Sequence, residues 1–147
     1  MLIYPFDFYQ LREAMNVIQL SYPFEAPISR QVDLLIQTCG MEVKLLPADR
    51  YYLAVIGNDV IGLIQQRDRS FQAILVHPNF RHLGVLRKLV AKVPRTQELS
   101  YYLPQNTETY DDQLDDFRNS GFTIGNSHRI LSKSGSKNTT RITLEAC

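Results

Sequence analysis

Residues 74 to 90 read Ile74-Leu75-Val76-His77-Pro78-Asn79-Phe80-Arg81-His82-Leu83-Gly84-Val85-Leu86-Arg87-Lys88-Leu89-Val90. A β-rich apolar run passes through a proline-punctuated loop and an Arg-x-x-Gly step into an amphipathic helix pattern. That order delivers the unpaired N–H groups of a helix start at the end of a strand. A helix N-terminus carries free donors and the positive end of the macrodipole, and a glycine there lets an anion approach the backbone. The chemistry this favours is the holding of a coenzyme's pyrophosphate by main-chain amides.

The side chains around this segment allow two readings each. Arg87 and Lys88 fall in the first helical turn, where positive charge opposes the macrodipole by a few tenths to ~1 kcal/mol unless an anion reverses the sign. They are phosphate contacts or a solvated face. His82 is a phosphate contact or an exposed loop histidine. His77, His128, Cys39 and Cys147 show no metal-ligand spacing, so no metal is expected. Asp111, Asp112, Asp115 and Asp116 form two like-charge i, i+4 pairs, each unfavourable by a few tenths of a kcal/mol. They read as a solvated face, or as a surface that attracts a cationic amine or a basic partner.

These residues need elements to hold them. Leu2 to Phe6 reads as a first strand. Leu11, Ala14, Met15 and Ile18 recur at i, i+3, i+4, i+7 and predict a helix from about Phe8 to Leu20. A second helix is expected over Ser29 to Thr38, stopped by Gly40. From Tyr51 the pattern becomes β-type: Tyr52 to Ile56, Val60 to Ile64 and Phe71 to Val76 form a meander with turns at Gly57-Asn58-Asp59 and Asp68-Arg69. Leu86, Leu89, Val90 and Val93 make the apolar stripe of a third helix closed by Pro94. Leu99 to Leu103 is a strand, and Tyr110, Leu114 and Phe117 mark a fourth helix ended by Gly121. Phe122 to Leu131 and Arg141 to Leu144 read as a terminal β pair joined by a polar loop.

With 147 residues, 44% of them hydrophobic and 21% charged, the chain fits one ordinary domain spanning 1–147 with a real core. Its net charge of +1 gives no global pull toward nucleic acid or an anionic membrane. Arg81, Arg87, Lys88, Lys92 and Arg95 cluster without interleaved aromatics, a poor nucleic-acid surface. No apolar run approaches the ~20 residues that span a bilayer, and the N-terminus lacks the pattern of a signal peptide. A cytoplasmic setting is expected.

The element order, with Val76, Pro78, Arg81 and Gly84 in a Val-x-Pro-x-x-Arg-x-x-Gly pattern and the Gly121-Phe122 pair after the last helix, resembles the GNAT acyl-CoA-dependent N-acetyltransferase superfamily. The resemblance covers nearly the whole chain. It implies an α/β (α+β) fold, with a mixed, mostly antiparallel sheet of about seven strands flanked by four helices.

It also implies acetyl-CoA as cosubstrate and no metal. Main chain at Leu75 and Val76 would pair with the pantetheine arm. Arg81, His82, Leu83, Gly84, Val85, Leu86 and Arg87 would surround the pyrophosphate, the donors being backbone amides. Asn106 would contact the pantetheine. Leu86 stands where a small residue is common, which is compatible with an inward-turned side chain.

The implied activity is transfer of an acetyl group to a primary amine, of a small molecule or a protein, by direct attack in a ternary complex. A homodimer is a family tendency. An acid that returns a proton to the departing thiolate assists such a reaction. The family's usual tyrosine position is Phe117, which has no proton to give. Tyr110, on the same helical face, is the substitute expected to be catalytic, with Tyr101 and Tyr102 as alternates. Tyr22, Phe24 and Glu25 are expected on the acceptor side. The rival reading is a non-catalytic acyl-CoA-binding or interaction module that kept the cradle and lost the acid.

Overall fold

A computed structural model describes residues 11, 13–105, 109–132 and 135–146. Among the described residues the strands are β1 (Asn16–Leu20), β2 (Arg50–Ile56), β3 (Asp59–Arg67), β4 (Ser70–Val76), β5 (Leu99–Pro104), β6 (Thr123–Ser132) and β7 (Gly135–Leu144). The helices are α1 (Ala26–Cys39), α2 (Val85–Lys92) and α3 (Tyr110–Asn119). The seven strands form one sheet in the order β1-β2-β3-β4-β5-β7-β6, antiparallel except where β4 meets β5.

Three expectations are corrected. The described residues hold three complete α-helices rather than four. Leu11, Glu13 and Ala14 are helical, but the expected second half of that first helix is strand β1. β1 pairs with β2 from Asn16↔Val55 to Leu20↔Tyr51. The β-branched Val17-Ile18 pair meets a sheet edge that needs a backbone partner, and that demand outweighs the helical spacing of the apolar residues. The expected first strand, Leu2 to Phe6, lies outside the described residues. At the other end, the polar stretch after Leu131 is largely strand: β7 starts at Gly135, and Ser132↔Gly135 closes the hairpin. Thr139 and Thr140 are buried there, paired with Pro104 and Leu103.

The meander forms as its turns dictate. Gly57 takes φ 58° between paired Ile56 and Asp59, and Asp68 takes φ 52° between paired Arg67 and Ser70. Alternation along the strands separates two cores. Tyr51, Leu53, Leu63, Ala73 and Leu75 pack with Val32 and Leu35 of α1. Tyr52, Ala54, Ile64 and Ile74 pack with Leu86 and Leu89 of α2, Phe117 of α3 and Phe122. Each large apolar side chain buried in this way contributes ~1.5–3 kcal/mol of transfer free energy.

The seat of α2 is set by a glycine. A Cβ on Gly62 of β3 would lie 2.9 Å from Leu89 Cδ1 and 3.0 Å from Val85 Cγ1. A side chain at that position would press on the ends of Leu89 and Val85, so the close packing of α2 on β3 relies on the glycine.

Candidate functional site

β4 and β5 are parallel and share one registered pair, Ser70↔Ser100, where the Ser100 N–H donates to the Arg69 carbonyl at 3.0 Å. From there to Val76 they carry no ladder, so one edge of β4 is left without a strand partner. Which groups line that edge follows from the β3 register. The His77 N–H donates to the Ile61 carbonyl at 2.8 Å, and the pairs Gly62↔Val76, Leu63↔Leu75 and Ile64↔Ile74 continue in step. In an antiparallel ladder hydrogen-bonded and non-bonded pairs alternate. Leu75 therefore spends its amide and carbonyl on β3, whereas Ile74 and Val76 turn theirs outward. Of the expected pair Leu75 and Val76, Val76 turns its groups to this edge, as does Ile74, and Leu75 does not.

Two side chains already use this edge. The Tyr101 hydroxyl takes the Ile74 N–H, and burial pushes that hydroxyl's pKa up to about 12. The Cys39 thiol donates to the Val76 carbonyl, with Sγ 3.6 Å from the oxygen. Burial in turn raises the Cys39 pKa to about 11, against a smaller lowering by Arg81.

The edge opens into a cleft of about 310 Å³ when its open mouth is included. Its walls are Ile74 to Val76 of β4, Cys39 and Met41 at the end of α1, Arg81 and Leu86 at the start of α2, and Gln113, Asp116 and Phe117 of α3. The wall at Met41 belongs to a segment pinned by a buried polar group. Asp49 accepts from Arg67 Nε at 2.7 Å and from Gln65 Nε2 at 2.6 Å, and Gln65 also donates to the Lys44 carbonyl at 2.8 Å. Those bonds tie the 41–49 segment to β3.

The cradle lies at the cleft's mouth. After the 3-10 turn Pro78–Phe80, His82 takes φ 65° and Gly84 φ 86°. Gly84 precedes α2 in the left-handed region and, having no side chain, brings no cap to the helix's first amides. A left-handed conformation at two positions gathers successive N–H groups, and glycine at the second makes it unstrained. Leu83 is half-buried against the core, and Val85 and Leu86 are fully buried, so Leu86 is turned inward as expected and does not obstruct the amides.

Charged groups here divide differently from the sequence reading. Arg87, expected at the cofactor, donates to the Asn119 carbonyl at the end of α3, and Lys88, read as a phosphate contact or part of a solvated face, donates to the Met15 carbonyl. Arg81, its side chain only 7% exposed, reaches Asp112 at 3.3 Å. His82 Nε2 lies 2.6 Å from the other oxygen of Asp112, and the His82 N–H donates to Asp116 Oδ1 at 3.4 Å. The bond to Asp112 raises the His82 pKa, and the same bond lowers that of Asp112. Burial raises the pKa of Asp116. Of the four aspartates, Asp111, Asp112 and Asp115 are exposed and Asp116 is buried, and it is Asp112 and Asp116 that reach the cradle. The signal for this was present as two acids one turn apart on α3 and adjacent cations at 81–82, but nothing in the order of residues joins them.

The candidate acids do not converge on the cleft. The Tyr110 hydroxyl, expected to be catalytic, is hydrogen-bonded to Thr140 Oγ1, and Tyr110 is not among the residues that line this cleft. Tyr101 is buried against Phe117, and Tyr102 is exposed. Phe117 does line the cleft, packed edge-on against Phe122 with ring centroids 5.2 Å apart. Tyr22 and Phe24 stack with Tyr51 instead of lining the cleft, and Glu25 precedes α1. Asn106 lies outside the described residues.

No protein-family model matches the sequence, and no curated protein matches it significantly. Solved structures do. A GNAT family acetyltransferase from Elizabethkingia anophelis with acetyl-CoA bound is 17% identical, covering 90% of this chain and 99% of its own, with a TM-score of 0.60. The IAA acetyltransferase from Bacillus cereus is 17% identical over 88% of this chain and 99% of its own, TM-score 0.57. The ribosomal-protein-S18-alanine N-acetyltransferase from Escherichia coli is 10% identical over 89% and 94%, TM-score 0.56. The chain has the fold of the GNAT acetyltransferases.

Proposed function

We propose that the chain, as one domain over residues 1–147, is an acyl-CoA-dependent acetyltransferase that passes an acetyl group from acetyl-CoA to a primary amine. The observation that carries this reading is the outward-facing edge at Val76, opening into the cleft beside the Gly84 cradle. An extended pantetheine arm can pair with such an edge as an added strand would. Val76 offers its amide and, once the Cys39 thiol gives way, its carbonyl.

In this reading the coenzyme supplies an activated thioester, and the chain's residues bind, orient and exclude water. The amides at the start of α2 take the pyrophosphate. Cys39, Met41 and Phe117 form an apolar wall around the reacting end. Holding amine and thioester together in a fixed geometry supplies much of the barrier reduction in such transfers. The neutral amine attacks the thioester carbonyl directly, the C–N bond forms as the C–S bond breaks, and the coenzyme leaves as a thiolate that takes up the proton the amine loses through water. No covalent enzyme intermediate is needed, since Cys39 is held as a thiol and is a poor nucleophile.

The second reading, an acyl-CoA-binding module without turnover, is favoured by Phe117 at the cleft and by Tyr110 bound to Thr140. Calorimetric titration with acetyl-CoA, paired with thiol release against a panel of amines, separates them. Binding with release supports transfer, binding without release for any amine supports the module, and no binding refutes both.

A further inference from the structure

The cradle's donors are already partnered by carboxylates of the same chain. Asp112 spans the guanidinium of Arg81 at 3.3 Å and the ring of His82 at 2.6 Å, and Asp116 takes the His82 main-chain N–H at 3.4 Å. These are the groups that a pyrophosphate entering beside Gly84 would need, and two carboxylates next to it would repel it. Resting on the reading of the cleft as an acyl-CoA site, we infer that the α3 edge formed by Asp112 and Asp116 is an internal competitor for the cradle, displaced when the coenzyme binds.

The geometry suits a competitor better than a structural lock. Asp112 is half-exposed, with 48% of its side chain open to solvent, so it can leave without unpacking the core. Asp116 is 6% exposed, and the cradle amide is the one donor bonded to its carboxylate among the described residues. A buried carboxylate with one long hydrogen bond is poorly compensated for its lost hydration. Around the pair, Asp115 is bound to Arg118 at 3.2 Å, and Arg87 and Lys88 are turned to backbone carbonyls on other segments. None of these offers the anion a substitute cation at the cradle. A protein whose binding-competent state is only partly populated shows an affinity reduced by that fraction, and removing the competing contact restores it.

The test is titration of the full chain with acetyl-CoA and with acetyl-pantetheine, which has the arm and thioester without the pyrophosphate. Proteins compared are the unaltered chain, Asp112→Asn, Asp116→Asn, the double variant, and Asp115→Asn as a control for net charge. The expected result is acetyl-CoA binding about 10-fold or more tighter in the double variant, with acetyl-pantetheine unchanged and Asp115→Asn within about 2-fold of the unaltered chain. Binding of acetyl-CoA that is unchanged or weaker in the double variant overturns the competition while leaving the acyl-CoA reading intact. Equal tightening by Asp115→Asn overturns it as well, since the effect is then one of net charge. Failure of every protein to bind acetyl-CoA overturns the acyl-CoA reading and the inference with it.

Discussion

The thiol of Cys39 and the carbonyl of Val76 meet across the cleft, Sγ to oxygen at 3.6 Å, although 37 positions separate them in the chain. The contact gives the unpaired edge of β4 a provisional hydrogen-bond partner. An unpartnered buried carbonyl is costly, and a weak S–H donor is one that an incoming amide can displace.

Cys39 therefore reacts slowly. At pH 8 a thiol with a pKa of about 11 is thiolate to roughly one part in 10³, about two orders of magnitude less than an ordinary cysteine. In a Cys147→Ser background, iodoacetamide labelling should be correspondingly slow and should accelerate up to about pH 11. Labelled protein should no longer bind acetyl-CoA. Rapid labelling at pH 8 would contradict the burial.

Gly62→Ala tests how α2 is seated. The added methyl meets Leu89 at 2.9 Å and Val85 at 3.0 Å, both inside the core. Overpacking of that kind costs ~1–3 kcal/mol. Relief by a shift of Leu89 and Val85 together with the helix that carries them should lower acetyl-CoA affinity along with the denaturation midpoint. A stable variant with unchanged affinity would show that the cradle does not depend on this seating.

The pair His82–Asp112 makes stability pH-dependent in a defined window. His82 binds its proton more tightly in the folded chain, so its contribution is fully present below the ordinary histidine value and disappears as pH rises through the raised folded value. Asp112 has the opposite sign: its contribution is lost as pH falls through its lowered folded value. Titration of the His82 ring followed by NMR should give a value above 6.5, and Asp112→Asn should bring it down. A ring that titrates identically in both proteins would remove the contact.

Two tyrosine exchanges separate structure from chemistry. Tyr110→Phe deletes the bond to Thr140, whose Oγ1 keeps the Gln105 Nε2 donor at 3.1 Å, and should cost ~1 kcal/mol of stability without altering turnover. Phe117→Tyr puts a hydroxyl on the cleft wall. Positioned acids contribute ~10²–10⁴-fold in favourable cases, so a rise of about 10-fold or more in acetyl transfer is expected if proton return limits the rate. A fall in turnover on Tyr110→Phe at unchanged stability would reinstate Tyr110 as the acid.

Much of the fold was readable because it rests on local rules. Alternation in Tyr51–Ile56 and Phe71–Val76, the two-residue turns and the stripe Leu86–Leu89–Val90 each follow from neighbouring residues. Asn16–Leu20 has apolar spacing that suits a helix, and only β2 supplies the partner that makes it a strand.

Between Val76 and Leu86 the order of strand, proline-punctuated loop, glycine and helix start is legible in the residues alone, since chain-breaking and helix-forming preferences act over a few residues. The tertiary structure decided what faces that segment. Register against β3 turned Ile74 and Val76 to the cleft in place of Leu75, because a pleated strand alternates its hydrogen-bonding sides and only the partner fixes which comes first. The packing of α3 brought Asp112 and Asp116 onto Arg81 and His82 and took Tyr110 to Thr140. Contacts between residues about 30 positions apart depend on how helices seat on a sheet, and no local preference encodes them.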